Sequence, residues 1–215
     1  MNLQNITLVV HDWGSALGFH YAMRNEANVK GIAFMEFILK PFKWEFFRNE
    51  EVRKIFKAFR TPEVGWDMIV NQNFFVEQIL GKMGSVRNLS EEEMNHYRKP
   101  FEKPEHRKPV WKWPNEIPIE GIPQDVTEAV RSYNQKFQES NLPKLLFYAE
   151  PGALVLKPLL NWCKNNLKNL KIVNIGRGVH YLQEDNPHLI GSDIAKWYES
   201  LVSMDLNENK SKEVK

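Results

Sequence analysis

The sequence lacks the features that mark several common classes of protein. Its 215 residues include one cysteine, Cys163, so no disulfide can form within the chain. A reducing compartment fits that usage best, and we expect a cytoplasmic protein. The sequence also has no apolar run of the length that a transmembrane helix needs.

The sequence also lacks a large excess of charge of either sign. Lys and Arg total 29 and Asp and Glu total 27, which leaves a formal net charge of +2. This balance gives no electrostatic reason to expect binding to nucleic acid or to an anionic membrane, so we expect neither partner. Apolar residues make up 42% of the chain and charged residues 26%, as is usual for globular proteins.

Short apolar runs that are typical of buried parallel strands lie near both ends of the chain. The first is rich in β-branched residues and is followed by a tight turn, a helix and a second apolar run, which together predict a βαβ unit. The same alternation returns after residue 142. We predict parallel strands at residues 6–10, 30–35, 144–148 and 170–175.

The middle of the chain has a different, mostly helical pattern. Helices are predicted over 50–59, 64–80 and 90–97, the last with a capping box formed by Ser90 and Glu93. Six prolines between Pro100 and Pro123 then exclude long helices and central strands. We therefore divide the chain into a first core segment (1–38), a mostly helical cap and connecting segment (39–142), a second core segment (143–204) and a polar tail (205–215).

Asp12 is the first candidate for chemistry, because it stands where a buried strand ends and a helix begins. Ligands of open α/β sheets bind at such strand ends. The turn resembles a nucleophile elbow, with Gly14 and Ala16 as the small residues that such a turn requires. A carboxylate at this position predicts a covalent ester with the substrate carbon. The alternative is an aspartate that only caps the helix.

His180 and a carboxylate are the candidates for the rest of a catalytic triad. His180 follows the last predicted strand, so the order of nucleophile, acid and histidine matches that of α/β hydrolases. Two carboxylates stand at strand ends, Glu36 and Glu150, and the pattern alone does not choose between them. Trp13 follows Asp12, and its indole N–H suits a leaving anion such as halide, although a core tryptophan is the alternative.

Several blocks of the sequence strongly resemble haloalkane dehalogenases. The resemblance runs from about Asn2 to Leu201, in order and nearly without gaps. The blocks that carry it are VHDWGSALGFH (10–20), GIAFMEFI (31–38), NHYRKPF (95–101), WPNEIPI (113–119) and LQEDNP (182–187). The resemblance implies a partial α/β-hydrolase fold, comprising the C-terminal half of the parallel sheet and a helical cap.

The resemblance also implies roles for individual residues. Asp12 matches the nucleophile, His180 the general base, and Glu36 the catalytic acid of one subfamily. Trp13 matches the halide-binding tryptophan, and Phe56 and Phe75 match aromatics that line the pocket. The implied reaction converts a small apolar haloalkane and water to an alcohol, halide and a proton, without a metal or an organic cofactor.

Three alternatives remain beside this interpretation. The chain is also similar to Renilla-type coelenterazine luciferases, and epoxide hydrolases of the same fold use comparable His-Asp-Trp-Gly turns. We further expect the chain to lack the N-terminal strands of the family and the asparagine that is its second halide ligand. The third alternative is therefore an inactive, non-catalytic fragment.

Overall fold

A computed structural model describes residues 3–213, with side chains described as far as Ser203. Four parallel strands form one sheet in the order β1-β2-β3-β4. The strands are β1 (Ile6–Asp12), β2 (Val29–Phe37), β3 (Lys144–Pro151) and β4 (Leu170–Gly178). The predicted α/β fold with four parallel strands is thereby confirmed. Among the described residues, β1 has a neighbouring strand on one side only.

Both faces of the sheet are covered by helices, which explains why β2 is buried along nearly its whole length. One face carries α1 (Trp13–Ala22), α6 (Gln124–Glu139) and α7 (Lys157–Asn166). There Phe19, Phe34 and Phe137 pack with ring centroids 4.7–5.8 Å apart, in tilted and edge-to-face arrangements that aromatic rings favour.

The opposite face is covered by the short helix α8 (Leu182–Asp185) and the last helix, α9 (Pro187–Glu213). Trp197 of α9 packs in a buried cluster with Ala33 and Met35, which alternate along β2 with the residues facing α1. The helix continues past Ser203, the last residue whose side chain is described. The predicted polar tail begins at Asp205, and its side chains lie outside the described residues.

The segment between β2 and β3 is mostly helical, as predicted. It contains α2 (Glu50–Phe59), α3 (Pro62–Trp66), α4 (Glu91–Arg98) and α5 (Lys108–Glu116), with π-type turns at Asp67–Asn71 and Phe75–Met83. The capping box of Ser90 and Glu93 begins α4. Helix α6, the last in this segment, packs on the sheet beside α1.

The helix predicted over 64–80 is not continuous. The chain turns at Asn73, whose φ of 55° lies in the left-handed region. Asparagine tolerates this conformation better than most residues, so Asn73 interrupts the helix without a glycine. Within the described residues, no helix is both long and apolar enough to cross a membrane.

Candidate active site

Asp12 lies at the turn from β1 into α1, in a strained backbone conformation with φ 47° and ψ −126°. Its side chain makes no capping hydrogen bond to the helix, so the alternative of a plain helix cap has no support. Ser15 stabilises the turn, because its buried hydroxyl donates to the carbonyl oxygen of Asp12 and accepts the N–H of Ile38 at 2.9 Å. Strain of this kind persists only where the surrounding structure holds it.

Small residues around the turn contribute unequally. A Cβ atom added at Gly14 would meet nothing within 4 Å, so the expectation that the turn requires a small residue there is not supported. A Cβ added at Gly18 would lie 2.8 Å from a methyl carbon of Val10, which is closer than a Cβ atom approaches a neighbouring side chain. Gly18 therefore allows α1 to pack directly on β1 and so fixes the direction of the turn.

His180 lies between the two carboxylates that the sequence singled out. Its Nε2 atom is 3.5 Å from Oδ1 of Asp12, and its Nδ1 atom is 3.3 Å from Oε2 of Glu36. The His180 side chain is 16% exposed. The structure thus brings Asp12, Glu36 and His180 together, although they come from the ends of β1 and β2 and from the loop after β4.

Glu36 is completely buried, and backbone groups compensate for the cost of burying its carboxylate. Its oxygens accept the N–H groups of Ala153, Leu154 and Val155 at 3.1, 2.7 and 3.3 Å.

Glu150 is exposed and pairs in register with Arg177 at the end of β3. The geometry therefore places Glu36, and not Glu150, beside His180.

The two carboxylates change the acid–base behaviour of His180. Burial by itself lowers the pKa of its imidazole, but the hydrogen bond to Glu36 and the negative charges of Asp12 and Glu36 outweigh that effect. The net result is a pKa above the ordinary value for histidine. Asp12 and Glu36 thus stabilise the imidazolium that forms when His180 accepts a proton.

A cavity of about 440 Å³ opens beside Asp12 and His180, between the sheet and the helical segment. Trp13, Phe56 and Phe75 line it together with many other apolar side chains, as expected of a pocket for an apolar ligand. The ring centroids of Trp13 and Trp113 lie 5.1 Å apart. Apart from the tryptophans, the polar or charged lining side chains are Asp12, Arg48, Tyr97, His180 and Tyr181.

A group of polar contacts ties α4 to the chain that follows His180. Arg87 donates to both carboxylate oxygens of Glu93 and to Glu184. The hydroxyl of Tyr97 donates to the other oxygen of Glu184, and the Asp185 carboxylate accepts the Arg87 N–H at 3.1 Å. Sequence patterns alone did not predict this group, because Glu184 and Asp185 are far from Arg87 and Tyr97 along the chain.

His11 is a second feature that pattern alone did not reveal. Its imidazole packs directly against His180, although nothing about its position in the sequence distinguished it from the other histidines. Within the described residues, no cluster of three or more His, Cys, Asp or Glu is arranged to hold a metal ion.

Known proteins with similar sequences identify the family. A sequence model described as the alpha/beta hydrolase fold matches residues 1–187, so the chain belongs to the α/β-hydrolase family. Within that family it is a homologue of haloalkane dehalogenases. It is 43% identical over 204 residues to one from Mesorhizobium japonicum and 44% identical over 200 residues to one from Bradyrhizobium diazoefficiens.

These matches cover 94% and 88% of this chain, but 65% and 64% of the two relatives. The chain therefore spans about two thirds of the length of the curated relatives that it matches.

Solved structures give the same result. A haloalkane dehalogenase from Bradyrhizobium elkani superposes with a TM-score of 0.89 at 43% identity, over 92% of this chain and 68% of that one. Another, from Agrobacterium tumefaciens, superposes with a TM-score of 0.87 at 28% identity, over 93% and 68%.

Proposed function

We propose that this chain hydrolyses haloalkanes to alcohol and halide through a covalent ester on Asp12. The observation that carries the proposal is the placement of Asp12 and His180 at an apolar cavity, with Glu36 behind the histidine. A carboxylate nucleophile beside an apolar pocket suits attack on an alkyl carbon. The relatives' names support the same substrate class.

In the first step, a carboxylate oxygen of Asp12 attacks the carbon that bears the halogen. A carbon–oxygen bond forms as the carbon–halogen bond breaks, and the halogen leaves with the bonding electrons. The backbone at Asp12 is held by Ser15, so the attacking oxygen has a fixed position. Trp13, which lines the cavity next to the nucleophile, stabilises the departing halide through its indole N–H.

In the second step, water hydrolyses the ester. Nε2 of His180 takes a proton from water, and the hydroxide attacks the ester carbonyl carbon. The alcohol leaves with a proton returned by His180, and the new carboxylic acid of Asp12 loses its proton to solvent. Glu36 accepts the Nδ1–H of His180, which leaves the lone pair on Nε2, facing Asp12.

The charges around His180 suit this order of events. In the free protein, the negative charge of Asp12 helps to raise the pKa of His180. Esterification removes that charge, so the pKa of His180 falls in the intermediate. The neutral imidazole that the second step requires is thus favoured once the ester has formed.

The test is a halide-release assay with the 215-residue chain on chloro-, bromo- and iodoalkanes. We expect halide and alcohol in equal amounts from the wild type and from Glu150→Gln, which changes an exposed carboxylate. Asp12→Asn should release no halide. No halide from the wild type, or turnover by Asp12→Asn, would contradict the proposal.

The same assay series separates the alternatives. An epoxide hydrolase needs cap tyrosines that protonate the epoxide oxygen, but the Tyr97 hydroxyl donates to Glu184. Epoxide opening without halide release would support that activity, and light emission from coelenterazine would support a luciferase. A folded chain without any of these activities would support a non-catalytic role.

A further inference from the structure

His11 contacts His180 in two ways. It precedes Asp12 on β1, and its Nε2 atom lies 2.9 Å from the backbone carbonyl oxygen of His180. The two imidazole rings lie side by side with centroids 4.6 Å apart, and the ring of Tyr181 is 5.8 Å from that of His11. The carbonyl oxygen accepts only, so the Nε2 atom of His11 carries the proton.

The environment keeps His11 neutral. Burial and the neighbouring His180 together lower its pKa to about 4, although the charges of Asp12 and Glu36 and the hydrogen bond to the His180 carbonyl act in the opposite direction. Tyr181 is the remaining titratable group with its ring against His11. At neutral pH His11 therefore donates a hydrogen bond without placing a positive charge beside His180.

The backbone of His180 is held from two sides. Its N–H donates to the carbonyl oxygen of Gly84 at 2.8 Å, which connects it to the end of the π-type turn in the cap. Its carbonyl oxygen accepts from His11, which connects it to the sheet. The His180 side chain depends on this backbone position to reach Glu36 and Asp12 together.

We propose that His11 is a positioning residue, whose Nε2–H fixes the backbone of His180 and thereby directs the imidazole between Glu36 and Asp12. The kinetic part of this proposal rests on the proposed function. The structural part does not, because the hydrogen bond from His180 to Glu36 exists in the free protein.

Two substitutions separate the contributions of the donor and the ring. His11→Gln keeps an N–H donor of similar reach but removes the ring, whereas His11→Phe keeps a ring and removes the donor. His11→Met, a flexible apolar side chain without a donor, replaces His11→Phe if that variant does not fold. His20→Phe is the matched control, because His20 is exposed on α1.

The first readout is the rate at which the Nδ1–H proton of His180 exchanges with water, measured by nuclear magnetic resonance. His11→Phe and His11→Met lack the donor, so they should speed this exchange about tenfold, because the hydrogen bond that orders the backbone of His180 is removed. His11→Gln and His20→Phe should stay close to the wild type. Unchanged exchange in the variants without the donor, or His11→Gln as fast as His11→Phe, would overturn the proposal.

The second readout compares the two chemical steps in rapid-mixing experiments. Loss of the donor should slow ester hydrolysis about tenfold while the initial halide burst keeps its rate, because only the second step uses His180. Equal slowing of both steps would indicate a general structural role and overturn the proposal. If the wild type releases no halide, the proposed function fails, and proton exchange alone decides the role of His11.

Discussion

Replacing Glu36 by glutamine tests the most deeply buried part of the site. An amide has one oxygen and one NH₂ group, so it cannot accept on both sides as the carboxylate does. The Oε2 atom accepts from Ala153, Leu154 and His180, whereas Oε1 accepts from Val155 alone, at 3.3 Å, among the residues that the structure describes. We therefore expect the amide oxygen to take the Oε2 position and the NH₂ group to face the Val155 N–H.

The cost of the substitution follows from these contacts. One buried N–H without a partner costs about 1–3 kcal/mol of stability. The His180 tautomer should persist, but the charge opposite its imidazolium is lost, and a charged hydrogen bond contributes about 1.5–3 kcal/mol. Ester hydrolysis should therefore slow by about 10- to 100-fold, with the halide burst unchanged.

The assays are urea denaturation for stability and single-turnover kinetics for the two steps. Glu150→Gln is the control, since Glu150 is exposed, and it should change neither quantity. A Glu36→Gln variant with wild-type hydrolysis, or a Glu150→Gln variant as impaired as Glu36→Gln, would refute the reasoning.

Three further predictions concern other parts of the molecule. The pKa of His180 in the free protein should lie above the ordinary histidine value in a nuclear magnetic resonance titration, and the pH–rate profile of ester hydrolysis should give a lower apparent pKa, because the ester carries no charge at Asp12; an apparent pKa of hydrolysis at or above that of the free protein would contradict this. Ser15→Ala should cost about 1–3 kcal/mol in chemical denaturation, because the buried N–H of Ile38 loses its acceptor; a change within experimental error would show that the bond does not stabilise the turn. Because β1 has a neighbouring strand on one side only among the described residues, we expect the chain to self-associate through this strand, and Val9→Lys should reduce that association in light scattering, since Val9 is 51% exposed and a lysine there opposes strand pairing; a monomeric wild type, or an unchanged association constant in the variant, would contradict this.

Local patterns were sufficient to predict the parts of the site that depend on strand ends. Asp12 stands at the end of β1 and His180 shortly after β4, and ligands of parallel sheets bind at such strand ends. The choice between Glu36 and Glu150 depended on family resemblance, because both stand at strand ends in the sequence. In the structure they differ in a long-range property, since the loop after β3 turns three N–H groups towards Glu36.

Two of the features that the sequence patterns did not predict depend on contacts between distant segments. His11 gains its contact with His180 only when the loop after β4 lies against the end of β1. Arg87 and Glu184 meet only when the cap packs on the second core segment. The break at Asn73 is local, but the apolar spacing of the predicted helix continues across it and gives no sign of the turn.

The central claim, that Asp12 becomes esterified, is tested most directly by mass spectrometry of His180→Phe after exposure to a chloroalkane. This variant keeps the nucleophile and lacks the base that activates water, so the ester should accumulate. We predict that the intact protein gains the mass of one alkyl group in place of a proton, that digestion locates the group on Asp12, and that one halide is released per chain. No adduct despite measured binding of the chloroalkane, or an adduct on another residue, would contradict the account.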